Sequence, residues 1–256
     1  MAKFDLANQA VLITGGLGGI GEYVLRTLAK AGATLLITDR RSPDDASGML
    51  AQWGLEKAWY RSLDVTDPTA METVLSEAFE YRKDLATVIG HAGGCGLHPF
   101  SNTPREHFAA LFDFNFFSQT YLARAVLRHW VAAGIKGHLI FTSSYVAQIP
   151  SVQIPAYASA KAALENFGKC LALEYGGQGI RVNMLAPGNV AAGASLKVYE
   201  TDVAYREFCD HASPLGHRNT PQGIADAMLF LVSPMALEMN GCVLKVDQGV
   251  SIPKIW

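Results

Sequence analysis

The sequence is poor in cysteine, in charged residues and in long apolar runs, and each scarcity excludes a class of protein. Its four widely spaced cysteines form no C-x-x-C pair, which argues against a disulfide framework or a zinc site. A formal net charge of −2, with 17% charged residues, gives no electrostatic reason to expect nucleic acid or an anionic membrane as a partner. No stretch approaches the roughly 18 unbroken apolar residues of a membrane span, and residues 1–8 lack the apolar core of a signal peptide. We therefore expect a cytoplasmic protein without a metal ion.

Hydrophobic residues, in contrast, make up 50% of the chain, which suffices for one large core. Short apolar segments alternate with helical patterns, and unbroken apolar strands are typical of a parallel sheet covered on both faces. Right-handed crossovers then give a Rossmann-type doubly wound α/β fold, with its cleft at the carboxyl ends of the strands. We predict one domain over residues 1–256, with seven strands near residues 10–14, 34–39, 58–63, 85–90, 138–143, 180–185 and 242–246.

The first predicted strand leads into a glycine-rich turn and then a helix. The turn has the order T-G-x-x-x-G-x-G, carried by Thr14, Gly15, Gly19 and Gly21. Glycines let a pyrophosphate approach the amides at a helix N-terminus, where the helix dipole favours an anion. The alternative is a plain turn that tightens a strand–helix junction.

The second predicted strand ends in Asp39, eighteen residues beyond Gly21 and close to the offset of about twenty expected for a ribose-binding acid. A carboxylate there repels a 2′-phosphate, which favours NAD over NADP. Arg40 and Arg41 keep NADP open, because guanidinium groups bind phosphate.

After the third predicted strand, Asp64 and Val65 are placed to bracket an adenine. Asp64 could instead cap the next helix, although Asp67 before Pro68 fits that role better.

A tyrosine and a lysine lie four residues apart in a segment with a helical pattern. This spacing puts Tyr157 and Lys161 on one helical face. A nearby positive charge favours the phenolate, so we expect Lys161 to lower the pKa of Tyr157 from its ordinary value of about 10. Such a tyrosine is a candidate general acid and base. Two unrelated residues on a partly solvated helix are the alternative.

Together, these motifs resemble those of the classical short-chain dehydrogenase/reductase family, from Val11 to about Gly249. The resemblance implies an NAD-dependent oxidoreductase that transfers hydride between the cofactor and a secondary alcohol or ketone. Tyr157 resembles the catalytic tyrosine, and Lys161 the lysine that assists it and holds the nicotinamide ribose. Ser144, thirteen residues before Tyr157, resembles the serine that binds the reacting oxygen, with its neighbour Ser143 as a rival.

Asn115, in a helix predicted over residues 104–133, resembles the asparagine that anchors a proton-relay water; a polar residue tolerated in a helix is the alternative. The resemblance also implies a set of cofactor contacts that follow the ends of the strands. They are Gly15, Leu17, Gly19, Ile20, Gly21, Asp39, Arg40, Asp64, Val65, His91, Ala92, Gly93, Pro187, Gly188 and Val190, together with Tyr157 and Lys161.

The chain departs from the family pattern at three places. His91 replaces an asparagine that ties the central strands together, and we interpret it as structural first and as a catalytic or pH-sensing group second. Ala192 replaces a threonine that often clasps the carboxamide. Gln248 interrupts the usual Asp-Gly-Gly near the C-terminus.

The least regular region, about residues 189–214, is expected to form a loop over the substrate. Polar side chains near it and on two other rims, namely His98, Gln148, Gln153 and His211, suit a sugar, a polyol or a similar hydroxylated small molecule. The alternatives are an NADP-dependent carbonyl or 3-oxoacyl reductase and a non-catalytic NAD(H)-binding sensor or scaffold.

Family resemblance also implies a homotetramer, or less often a dimer, built partly from the long helices that carry Asn115 and Tyr157. On the helix of Tyr157, we name Leu164, Phe167 and Leu171 as interface candidates, with core packing as the alternative. The apolar tail at residues 251–256 is a further candidate for a subunit contact.

Overall fold

The computed structural model describes residues 4–252, and within them seven strands form one parallel sheet in the order β3-β2-β1-β4-β5-β6-β7. The order reverses between β1 and β4, and such a reversal opens a crevice at the carboxyl ends of the two strands. The strands are β1 (Ala10–Thr14), β2 (Thr34–Asp39), β3 (Trp59–Ser62), β4 (Thr87–Gly90), β5 (His138–Thr142), β6 (Arg181–Pro187) and β7 (Val243–Val246).

Helices cover both faces of the sheet, because successive strand residues point to opposite sides. Leu12 packs with the helices α3, α5 and α6 on one face, whereas Val11 and Ile13 pack with α1, α2 and α9 on the other. The helices are α1 (Gly19–Lys30), α2 (Pro43–Gln52), α3 (Pro68–Tyr81), α4 (Arg105–Phe112), α5 (Ser118–Ala133), α6 (Pro155–Tyr175), α7 (Gly193–Thr201), α8 (Val203–Ala212) and α9 (Pro221–Val232). The predicted doubly wound α/β fold is confirmed, and no helix within residues 4–252 is long and apolar enough to cross a membrane.

Two predicted segments differ from the structure. The helix over residues 104–133 is interrupted by a π-helical turn at Asp113–Phe117, which separates α4 from α5. The region 189–214, expected to be irregular, is largely the two helices α7 and α8. The side chain of Asp202 accepts a hydrogen bond from the Tyr205 amide at 2.9 Å and so caps α8.

The interface candidates on α6 lie in the core of the chain itself. Leu164 and Leu171 are buried, and Phe167 packs against Phe116 and Phe141. Of the apolar tail, residues 253–256 lie outside the described residues, so that expectation remains a prediction.

We expect an added methyl group to have opposite effects on stability at two glycines. A Cβ at Gly137 would lie 2.4 Å from the ring of the fully buried Trp130, whereas none of the described atoms lies within 4 Å of one at Gly48, on the exposed face of α2. We expect Gly137→Ala to lower the free energy of unfolding by about 1–3 kcal/mol through overpacking. Gly48→Ala should raise it by about 0.5–1 kcal/mol, because alanine is the better helix former. Urea denaturation checks both, and a stable Gly137→Ala variant would contradict the packing of Trp130.

Candidate active site

The glycine-rich turn lies against two other backbone segments with almost no space between them. A Cβ at Gly15, where φ is +67°, would lie 2.7 Å from the Cα of Ala92, and one at Gly19 would lie 2.6 Å from the backbone nitrogen of Gly193. Within the described residues, no side chain caps α1 at Gly18. The first amides of α1 are therefore available to an anion in a cradle built from backbone.

The Asp39 carboxylate, at the end of β2, is almost fully buried and joins two partners. It accepts a hydrogen bond from the Leu17 amide in the glycine-rich turn at 3.1 Å, and it pairs with the Arg41 guanidinium at 3.0 Å. Arg41 therefore turns inward onto the acid, whereas Arg40 is exposed. The structure thus places a carboxylate and two cations at the position predicted to meet the adenosine ribose.

Asp64 and Val65 follow β3 as predicted, but their side chains are engaged within the protein. The Asp64 carboxylate accepts hydrogen bonds from the amide and the hydroxyl of Thr66, which lower its pKa. The side chain of Val65 is part of the core. Asp64 is exposed and Val65 is buried, and their contact with an adenine remains a prediction. The cap of α3 is Asp67, as expected.

His91 joins the ends of three strands. Its amide donates to the Thr14 hydroxyl of β1 at 3.2 Å, and its Nδ1 lies 3.0 Å from the Thr142 hydroxyl of β5. Burial and the charge of Lys161 lower the pKa of His91 to about 4, so the ring is neutral near pH 7. These contacts support the structural interpretation of His91.

That lowered pKa predicts a loss of stability in acid. Because the unfolded chain binds a proton near pH 6.5 and the folded chain only near pH 4, stabilisation by the neutral ring is complete above pH 6.5 and is lost as the pH falls towards 4. His91→Asn should reduce the difference in unfolding free energy between pH 7 and pH 5 by about 2 kcal/mol, because pH 5 lies about 1.5 units below the unfolded pKa. Urea denaturation at both values measures it. Burial lowers the pKa of His138 to about 3, so His138 also reduces stability in acid. It is present in both the wild type and the His91→Asn variant, and its effect cancels in the comparison. An unchanged difference would contradict the assignment.

Tyr157 and Lys161 share one face of α6, with the lysine Nζ 5.7 Å from the centre of the tyrosine ring. Lys161 is buried and donates a hydrogen bond to the Thr142 carbonyl at 2.8 Å. Burial lowers its pKa to about 8, which leaves it mainly protonated at neutral pH.

The expected lowering of the Tyr157 pKa is not found. Burial is the largest influence and raises the pKa above its ordinary value of 10.0, while a hydrogen bond with the Ser144 side chain acts in the opposite direction. Desolvation of a phenolate thus outweighs its favourable contacts. Ser144, rather than Ser143, is the serine beside the tyrosine, because the Ser143 hydroxyl donates to Glu165 at 2.8 Å.

Asn115 lies at the centre of the π-helical turn and is fully buried. Its amide group donates to the carbonyls of Gly94 and Leu111, both at 2.9 Å, and its carbonyl accepts from the Gly94 amide at 3.0 Å. A Cβ at Gly93 would lie 2.9 Å from Asn115 Oδ1 and 3.0 Å from Lys161 Nζ. Asn115 therefore holds a glycine loop beside the lysine, and π-helical turns occur frequently at functional sites.

The turn after β6 also lies at this edge. A Cβ at Gly188, which follows Pro187, would lie 2.6 Å from Asn219 Oδ1 and 2.7 Å from the Cα of Asp247. The Val190 carbonyl accepts a hydrogen bond from the Arg218 guanidinium at 2.8 Å. The backbone of Val190 is thus partly hydrogen-bonded within the protein and is not wholly available to a ligand.

The helices over the site are held by aromatic and cationic side chains. The Arg218 guanidinium lies 4.3 Å from the centre of the Tyr199 ring, and the Tyr199 hydroxyl donates to Asp210 at 2.8 Å. These contacts join α7 to α8 and to the segment before α9. Ala192 is the N-cap residue of α7 and has no hydroxyl to offer a ligand.

Gln248 adopts a left-handed backbone conformation, with φ +55°, at a position suited to glycine. Its side chain compensates by donating to His217 Nδ1 at 2.9 Å and accepting from the Ser213 hydroxyl at 3.1 Å. This departure therefore concerns local structure rather than the chemistry.

The polar side chains predicted to surround the substrate come together only in part. The His98 amide donates to the Gln153 carbonyl at 2.7 Å, and the His98 ring packs edge-on against His107 at 4.1 Å between centroids. His211 is exposed on α8, where its Nδ1 faces the Glu207 carbonyl.

Gln148, expected to face the substrate, instead donates to the buried carboxylate of Glu165 at 3.1 Å. Sequence reasoning missed Glu165, Thr142 and Arg218. For Thr142 there was a usable signal, because it is the last residue of a strand and therefore points towards the cleft.

Comparison with known proteins identifies relatives over almost the whole chain. A family model described as enoyl-(acyl carrier protein) reductase matches residues 15–251. Galactitol 2-dehydrogenase (L-tagatose-forming) of Cereibacter sphaeroides is 33% identical over 255 residues, which cover 97% of each chain.

Two solved structures share the architecture. A short-chain type dehydrogenase/reductase from Mycobacterium marinum is 27% identical, with a TM-score of 0.87 and 98% of each chain covered. A 7α-hydroxysteroid dehydrogenase in complex with NADH and 7-oxo glycochenodeoxycholic acid is 28% identical, with a TM-score of 0.87 and 96% of each chain covered.

Proposed function

The chain belongs to the short-chain dehydrogenase/reductase family, and on this premise we propose that it is a single-domain, NAD-dependent oxidoreductase that interconverts a secondary alcohol and its ketone. The observation that carries the proposal is the cluster at the carboxyl ends of β4 and β5. There Lys161 and Asn115 both approach Gly93, while Ser144 interacts with Tyr157 one helical turn from Lys161.

The residues present fit a nicotinamide dinucleotide. The close approach of Gly15 to Ala92, which leaves no room for a Cβ, forms a backbone cradle beside the uncapped end of α1, suited to a pyrophosphate. Asp39 supplies a carboxylate for ribose hydroxyls, and Lys161 an ammonium group for the second ribose. When bound, the nicotinamide accepts or donates the hydride.

Residues of the protein donate, accept and relay the proton. Ser144 donates a hydrogen bond to the reacting oxygen, and Tyr157 gives its phenolic proton to that oxygen in reduction or takes the hydroxyl proton in oxidation. The Lys161 ammonium stabilises the phenolate that reduction leaves behind. Asn115 holds the Gly93–Gly94 loop in place, and we propose that it also anchors a water that relays the proton.

The raised pKa of Tyr157 gives the two directions different pH dependence. Near neutral pH the phenol keeps its proton, which is the form that reduction needs. Oxidation needs the phenolate, so its rate should rise as the pH increases above neutrality.

For the substrate, we propose a sugar, a polyol or a similar hydroxylated small molecule. The named activity of the Cereibacter relative supports this class.

The test is a screen of sugars, polyols, hydroxysteroids and secondary alcohols with NAD and with NADP, read by the absorbance of the reduced nicotinamide. We expect turnover with NAD and at least one polyol or sugar. Binding of NADH without turnover of any compound would instead indicate a sensor or scaffold.

An NADP-dependent carbonyl or 3-oxoacyl reductase is the second candidate, because the exposed Arg40 lies next to Asp39. The same screen with 3-oxoacyl and enoyl thioesters and NADPH would identify it.

We also propose a cytoplasmic homotetramer. Leu173 on α6 is 87% exposed, and Val131 on α5 is 45% exposed. Burial of such residues between subunits would be favourable. Analytical ultracentrifugation measures the stoichiometry.

A further inference from the structure

Glu165 is a buried carboxylate to which the proposed mechanism gives no role. It lies on α6, one turn after Lys161 and two turns after Tyr157, and is 5% exposed. None of the ion pairs found within residues 4–252 includes it. Since burial of a carboxylate without a cation is costly unless its oxygens are hydrogen-bonded, its two acceptors must be well used.

Both oxygens of Glu165 bind one loop. Oε1 accepts from the Ser143 hydroxyl at 2.8 Å, and Oε2 accepts from the Gln148 amide at 3.1 Å. These two donors are the first and last residues of the Ser143–Gln148 loop, which follows β5 and contains Ser144. One carboxylate therefore holds both ends of the segment that carries the predicted catalytic serine.

Other contacts bind the same loop to different elements. The Ser143 amide donates to the Leu185 carbonyl of β6 at 2.7 Å, and the Tyr145 hydroxyl donates to Asn189 at 3.1 Å. The bonds to Glu165 differ because they join the loop to α6, the helix that carries Tyr157. The bonds to Glu165, together with the packing of Tyr145 and Val146 against Tyr157, therefore bear on the distance between Ser144 and Tyr157.

We infer that Glu165 is a positioning residue that braces the Ser143–Gln148 loop on α6 and so holds the Ser144 hydroxyl against Tyr157. The inference rests on the proposed function for its kinetic consequence. A misplacement of about 1 Å in such a pair can cost about 100-fold in rate. Gln148, in this arrangement, acts through the loop and has no contact with substrate.

The test compares variants of Glu165 in the full chain. Glu165→Ala should lower kcat about 10- to 100-fold, with KM and the affinity for NADH changed by less than about threefold. Glu165→Gln can still accept from Ser143, and a flipped Gln148 amide can pair with it, so kcat should stay within about fivefold of the wild type. Glu174→Ala, an exposed glutamate on the same helix, is the matched control and should change neither.

Gln148→Ala removes one bond at an exposed position and tests the same role should Glu165→Ala not fold. It should lower kcat about threefold to tenfold and leave KM unchanged, whereas a substrate ligand would mainly raise KM. The exchanged pair Gln148→Glu with Glu165→Gln should recover most of the kcat that is lost in Gln148→Ala. A Gln148→Ala variant with wild-type kcat would overturn the inference, as would a folded Glu165→Ala variant with wild-type kcat.

A crystal structure of Glu165→Ala separates this inference from the proposed function. The Ser144 hydroxyl should move away from Tyr157 whatever the substrate is, and an unmoved serine would overturn the bracing role. Absence of turnover in the wild type across the whole screen would refute the proposed function alone.

Discussion

Replacing Tyr157 with phenylalanine should lower kcat about 1,000-fold while leaving the affinity for NADH within about twofold. The change removes one hydroxyl, the group that lies beside Ser144 and that we propose carries the transferred proton. Lys161 keeps its hydrogen bond to the Thr142 carbonyl, so the ammonium group that we propose binds the ribose should stay in place. Steady-state kinetics in both directions and titration of NADH by fluorescence measure the two quantities.

Tyr175→Phe is the matched control, because Tyr175 is the last residue of the same helix and lies far along α6 from the cluster. It should retain wild-type kcat. Turnover near the wild-type level in Tyr157→Phe would refute the proton-transfer assignment, and a large loss of NADH affinity would show that the hydroxyl serves binding instead.

The parallel sheet could be predicted because its signal is local. Residues such as Val11, Leu12 and Ile13 are apolar on both sides of the strand, and a glycine-rich turn marks where the first strand ends. Strand ends then locate the cleft by topology alone, which is why Gly15, Asp39, Gly93 and Gly188 could be assigned to one edge.

The π-helical turn could not be predicted, because it changes the hydrogen-bond pattern of a helix without a distinct residue pattern. The helices α7 and α8 were missed for a related reason. Short helices depend on tertiary contacts, here the packing of Tyr199 against Arg218, more than on intrinsic propensity.

The pKa of Tyr157 shows a further limit of prediction from sequence. Spacing in the sequence correctly places Lys161 on the same helical face, but the sign of the shift depends on burial, which spacing does not reveal. Glu165 was missed because its partners lie 22 and 17 residues away along the chain and meet it only in the folded protein.

Asp39 carries the second large prediction, a change of cofactor preference. Asp39→Ser should raise the ratio of kcat/KM for NADP to that for NAD by about 100-fold. The carboxylate that would repel a 2′-phosphate is removed, and a strong acceptor for ribose hydroxyls is lost with it. The change also frees Arg41, which is paired with Asp39 at 3.0 Å, to bind the phosphate.

Three variants separate the causes of this change. Asp39→Asn keeps an acceptor for the Leu17 amide while removing the charge, so it isolates electrostatic repulsion from the geometry of the turn. Adding Arg41→Ala to Asp39→Ser should abolish most of the gain with NADP if the freed guanidinium is the phosphate ligand. Asp64→Asn, at the end of the next strand, is the control and should leave the ratio unchanged. A wild-type enzyme that already prefers NADP would contradict the assignment, because it would mean that Arg40 and Arg41 outweigh the carboxylate between β2 and the glycine-rich turn.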